Sequence, residues 1–121
     1  MKVFSTALAS ALLMLFSAAS IAHTEVTKSV PKSGSELAQS PPQIEIQFHE
    51  TARLTSVVVV GADKHERRLE FAASDKPNTF NVKSPKLEVG RNEVQWKALS
   101  GDGHVVSGKL IFVIKPAAKA S

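Results

Sequence analysis

The sequence predicts an all-β sandwich. Three observations carry this: short segments in which apolar and polar residues alternate at period two, turn residues at close intervals between them, and no stretch with a 3.6-residue apolar repeat. Residues 1–22 stand apart from the pattern. Lys2, the apolar run from Ala7 to Phe16 and the small residues ending Ser20-Ile21-Ala22 follow the order of a cleaved secretory signal. The apolar run is too short to span a bilayer well, and nothing downstream resembles a stop-transfer segment. A cut after Ala22 makes His23 the mature N-terminus. Ser17-Ala18-Ala19 also satisfies the small-residue rule, and a cut there would leave three residues ahead of His23.

Residues 25–30 form the first expected strand, ended by the turn signal Pro31-Lys32-Ser33-Gly34; Pro41-Pro42 closes the polar loop that follows. Ile44, Ile46 and Phe48 then alternate with Glu45, Gln47 and His49, as a half-buried strand requires. Residues 55–60 are largely β-branched and read as a strand buried on both faces. Residues 67–71, 79–83 and 92–99 continue the series, with Val94, Trp96 and Ala98 on one face; residues 87–92 read as the loop leading into the Trp96 strand. Residues 104–114 finish it, with Leu110, Phe112 and Ile114 opposite Ile111 and Val113. That makes about seven short strands, the count of an immunoglobulin-like Greek-key sandwich, with Trp96 packed between the sheets. The expected organisation is a signal over 1–22, one sandwich domain over 23–115 and a flexible tail over 116–121.

Composition narrows function. Without Lys2 the expected mature chain keeps 14 of the 15 Lys and Arg against 11 Asp and Glu, a small excess spread along the chain without a basic block or interleaved aromatics. Nucleic acid is therefore not an expected partner. There is no cysteine, so the fold must stand on packing alone, and both methionines, Met1 and Met14, lie inside the signal. A mature chain without sulfur offers a metal only nitrogen and oxygen donors.

Four histidines, at 23, 49, 65 and 104, carry the remaining chemistry. An N-terminal His23 would present both its α-amine and its imidazole, closing a chelate ring that an internal histidine forms only by deprotonating its own backbone amide. His104 follows Asp102 by two residues in Ser100-Gly101-Asp102-Gly103-His104, so in extended backbone the carboxylate and imidazole share a face. His23, His104 and Asp102 together give three nitrogens and one oxygen, a donor set that suits tetragonal Cu(II). The plain alternative is a loop histidine hydrogen-bonded to Asp102; the two candidate groups stand 81 positions apart, and spacing alone does not bring them together. His49 faces away from the core by alternation and His65 sits in the polar turn 63–68, so both read as surface residues.

Trp96-Lys97-Ala98-Leu99-Ser100-Gly101-Asp102-Gly103-His104, followed by Gly108 and a hydrophobic strand, resembles the C-terminal signature of the CopC family, W-x-A-x-S-x-D-x-H-x-x-x-G. A mature start at His23, the turn 31–34 and the segment 44–50 resemble that family in order and spacing, so the likeness covers essentially the whole mature chain. It implies a monomeric periplasmic β-sandwich that binds Cu(II) through His23, Asp102 and His104, and that acts as a carrier or buffer in copper homeostasis and resistance. An inner-membrane copper transporter is the implied partner. The likeness also draws in Glu50, which continues the inward parity of Phe48: it either pairs with Arg53 or makes an outer contact to the metal site. Some members carry a methionine-rich Cu(I) loop, which this chain lacks.

Two other functions compete. A copper-dependent oxidative enzyme is one, since N-terminal histidine braces occur in lytic polysaccharide monooxygenases. Against it, the chain has no Tyr and one Trp for a sugar-stacking face, and Asp102 would crowd the open position that oxygen activation needs. A metal-free sandwich that binds a protein through a sheet edge is the other.

Overall fold

A computed structural model describes residues 26–117, so the expected signal, His23 and the last residues of the tail lie outside the described residues. The described chain is all-β, in two facing sheets. One sheet holds β1 (Val26–Val30), β3 (Gln43–Phe48), β7 (Thr79–Lys83) and β6 (Phe71–Ala73), in that order. The other runs β2 (Ser35–Leu37), β9 (Val105–Ile114), β8 (Gly90–Ser100), β4 (Ala52–Val60) and β5 (Glu66–Arg68). The expected sandwich is the observed one, with nine described strands in place of about seven.

The alternation read from the sequence holds in β3, β8 and β9. Ile44, Ile46 and Phe48 are buried from one sheet, and Val94, Trp96, Ala98, Leu110, Phe112 and Ile114 from the other. Trp96 lies between the sheets, its indole meeting the Phe48 ring edge-on at 5.2 Å between centroids. Its cross-strand neighbour on β9 is Gly108, where a Cβ would come 2.5 Å from the indole Cζ2. Glycine is what leaves the ring its room.

Three elements differ from expectation. Residues 55–60 are not buried on both faces: they belong to the longer β4, where Val57 and Val59 are buried while Ser56, Val58 and Val60 are half-buried. A bulge at Thr55 shifts the pairing from Leu54↔Ala98 to Ser56↔Lys97 and moves the inward set from Ala52 and Leu54 to Val57 and Val59. Residues 67–71 are two strands. The Leu69 N–H donates to Val57 O in one sheet, and the next carbonyl, of Glu70, accepts from Lys83 N–H in the other, so the chain changes sheets between adjacent residues. Finally, β2 was absent from the expected set. It pairs parallel to β9, Ser35↔Phe112 to Leu37↔Ile114, and is fastened by Gly34 N–H to Ile111 O at 2.7 Å.

The loop ahead of β8 is held by a buried polar side chain. Asn92 accepts from the Glu88 N–H at 3.1 Å and donates to the carbonyls of Glu88 and Gly90 at 2.7 and 3.1 Å. Burial of this amide is offset by its bonds.

Candidate metal centre

Strands β8 and β9 pair as far as Leu99↔Val105 and are joined by a tight hairpin. The Ser100 N–H donates to His104 O at 2.8 Å and the Gly103 N–H to Ser100 O at 3.0 Å. Gly103 takes a φ of 91°, the left-handed step that ends a three-residue hairpin loop. Asp102 is thus in a turn and His104 just before the strand, so the extended-backbone reason given for their sharing a face does not hold. They meet all the same. Nδ1 of His104 lies 3.2 Å from Oδ2 of Asp102, with both side chains more than half exposed.

The carboxylate is held by its neighbours. The Ser100 hydroxyl donates to Asp102 Oδ1, and the His104 backbone N–H is shared between that oxygen and the Ser100 hydroxyl, at 3.3 Å to each. The Ser100 bond first, and then the His104 N–H, hold the Asp102 carboxyl below the usual carboxylate range, because both favour the charged form. The outcome is one oxygen engaged in the turn and the other facing an imidazole nitrogen. Two donors bound cis to one tetragonal ion at about 2.0 to 2.2 Å stand about 3 Å apart, so this pair fits a metal edge as well as it fits a hydrogen bond. Among the described residues no group of three or more His, Cys, Asp or Glu is placed to hold a metal. Two donors alone make half a site.

The other sequence candidates fall as follows. Strand β3 ends at Phe48, so the inward parity assigned to Glu50 stops short of it; Glu50 is exposed, and no ion pair with Arg53 occurs among the described residues. Its turn nevertheless touches the hairpin, through Thr51 O accepting the Gly101 N–H at 3.1 Å. His49, in the same turn, is exposed as expected. His23 lies outside the described residues, but β1 is antiparallel to β3 with Val26 opposite Phe48, the end of the sandwich that carries this turn.

His65 sits at the opposite end. β4 runs from Ala52, opposite Ser100, to Val60, opposite Glu93, and a nine-residue strand spans about 30 Å. There Gly61-Ala62-Asp63-Lys64-His65 makes the same hairpin: Gly61 N–H to His65 O at 3.1 Å, Lys64 N–H to Gly61 O at 2.9 Å, and a left-handed residue, Lys64 with φ 69°, before the histidine. The imidazole and carboxylate are further apart, with Nδ1 4.0 Å from Asp63 Oδ2. Ser100 stood in the family motif but sequence reading gave it no role; its hydroxyl, two residues ahead of Asp102, was the available signal.

The CopC domain family matches residues 26–115. Copper resistance protein C of Pseudomonas syringae pv. tomato is 31% identical over 112 residues, covering 84% of this chain and 88% of that protein. Among solved structures, CopC from Methylosinus trichosporium OB3b aligns with a TM-score of 0.66 at 25% identity, over 82% of this chain and 100% of that one. PcoC, a methionine-rich copper resistance protein from Escherichia coli, aligns with a TM-score of 0.60 at 28% identity, over 78% of this chain and 100% of that one.

Proposed function

The chain belongs to the CopC family, and from that premise we propose that its mature form is a periplasmic carrier or buffer for Cu(II), with His23, Asp102 and His104 as ligands. The family comprises copper resistance proteins rather than enzymes, which removes the oxidative-enzyme reading and favours a copper-holding role over a metal-free module. Copper is cargo here, held and passed on. The Asp102–His104 pair at 3.2 Å carries the assignment, because it supplies two donors at the spacing one ion needs. Two further donors come from the α-amine and imidazole of His23 once the signal is removed. His23 is three chain steps from Val26, a reach of about 10 Å in extended chain, starting from the end of β1 that faces the 49–51 turn. Glu50, one residue from the Thr51 carbonyl that meets the hairpin, is the outer contact in this arrangement. An inner-membrane copper transporter is the partner this role calls for.

The mature chain's donors are nitrogen and carboxylate oxygen, whereas PcoC is a methionine-rich protein. Cu(I) prefers soft sulfur, so the reduced ion should be held poorly. Titration of the processed protein should give one Cu(II) per chain. Anaerobic reduction in the presence of a modest Cu(I)-specific chelator should then transfer the copper to the chelator. Retention of Cu(I) against such a competitor would overturn the oxidation-state assignment.

Acid should release the metal through the nitrogen donors. Asp102, held below the usual carboxylate range by the Ser100 hydroxyl and the His104 N–H, keeps its charge in mildly acid solution. Between about pH 8 and 5, Asp102→Asn should therefore lower Cu(II) affinity by a constant factor, with the pH profile parallel to the parent. A mutant profile that converges on the parent above about pH 5 would show that Asp102 titrates where the nitrogens do.

A further inference from the structure

We infer that Ser100 is the positioning residue of the copper site, fixing Asp102 as a single-oxygen ligand through Oδ2; this rests on the assignment of Asp102 and His104 as ligands. A carboxylate free to rotate offers a metal either oxygen or both. Here Oδ1 is occupied twice within the hairpin, by the Ser100 hydroxyl and by the His104 backbone N–H at 3.3 Å, and Oδ2 is turned toward His104 Nδ1 at 3.2 Å. The serine is itself held, since its hydroxyl also accepts from the His104 N–H and its own N–H donates to His104 O at 2.8 Å. The two ligands are thereby tied to each other through one side chain.

The chain contains its own comparison. The hairpin 61–65 repeats the backbone bonds of 100–104 and the Asp-x-His spacing, but the position of Ser100 is taken by Gly61, which has no hydroxyl. In that hairpin the Asp63 carboxylate keeps the His65 N–H, at 3.0 Å, yet the imidazole nitrogen stands at 4.0 Å and not 3.2 Å from its nearer partner oxygen. The turn alone therefore brings carboxylate and imidazole near each other; the hairpin that also has the hydroxyl is the one at ligand spacing. A one-oxygen carboxylate keeps the coordination number low, which suits a tetragonal ion and disfavours cations that take six to eight oxygens and accept bidentate carboxylates.

The test is Cu(II) titration of the processed full-length mature chain and of Ser100→Ala, Ser100→Thr, Asp102→Asn, Ser100→Ala/Asp102→Asn and His104→Ala, with melting temperatures and Cu(II) electron paramagnetic resonance spectra of each. Ser100→Ala should lose roughly 10- to 100-fold in affinity, the usual cost of removing a group that orients a ligand. Its spectrum should shift, while Ser100→Thr, which keeps the hydroxyl, stays within a few-fold of the parent with the parent spectrum. In the Asp102→Asn background, Ser100→Ala should cost little more, since the carboxylate through which it acts is gone. If Ser100→Ala lowers affinity equally with or without that carboxylate, or only in step with its melting temperature and without a spectral change, the serine is structural and the inference falls. If His104→Ala binds like the parent, the ligand assignment itself is wrong. If His104→Ala fails and Ser100→Ala binds normally, only the role of the serine is overturned.

Discussion

A single residue added ahead of His23 is expected to cost the mature protein as much Cu(II) affinity as His104→Ala. The extension converts the α-amine into an amide, which no longer donates without losing its proton, and it carries the imidazole to an internal position. Both nitrogens of one chelate are disturbed at once. The loss should exceed the 10- to 100-fold typical of removing an outer-shell partner, because ligands are removed here and not merely reoriented. Among the described residues no group of three or more metal-ligating side chains is placed to hold an ion, so no ready-made alternative site replaces the lost donors. Competition titration of three preparations (processed, extended by one glycine, and His104→Ala) measures it. An extended chain that titrates like the processed one would remove His23 from the site.

The largest expected effect on the fold is at Trp96. Truncating this buried indole to alanine should cost about 3 to 5 kcal/mol, a large part of the 5 to 15 kcal/mol by which a domain of this size is stable. Gly108→Ala attacks the same contact from the other side, since its methyl carbon would fall 2.5 Å from the ring. Overpacking of this kind costs about 1 to 3 kcal/mol. The two changes should not add: with the indole gone the new methyl has space, so the double variant should be more stable than the sum of the singles predicts. Urea denaturation of the four proteins reads this directly. Additive losses would mean that Gly108 is needed for its backbone and not for the room it leaves.

Much of this architecture was legible because alternation is a side-chain signal. Ile44, Ile46 and Phe48, and later Leu110, Phe112 and Ile114, announce their buried face by period alone. What was missed lies in the backbone. At Thr55 the bulge leaves no trace in a run of β-branched residues, so its change of inward parity could not be read, and the run passed for a strand buried on both faces. The crossing at Leu69 and Glu70 is equally silent, since Arg67, Leu69 and Phe71 keep the spacing of one strand while the hydrogen bonds pass from one sheet to the other. β2 is three residues long, and its partner is at the far end of the chain. In the candidate site, Asp102 and His104 were found by residue type and motif, but the reason they meet is the turn closed by Gly103. Ser100 stood in the motif without a role, because only the folded turn shows which neighbour its hydroxyl reaches.

The parallel pairing of β2 with β9 bears on the order in which the protein assembles. Ser35 has to wait for Phe112, so the five-stranded sheet cannot close until almost the whole chain exists. The β8–β9 hairpin carries the opposite burden: its partners are neighbours in sequence, and its loop entropy is small. Local contacts form faster than distant ones, so Asp102 and His104 are expected to come within reach of each other early and the β2–β9 pairing, which joins segments far apart in the chain, to form late.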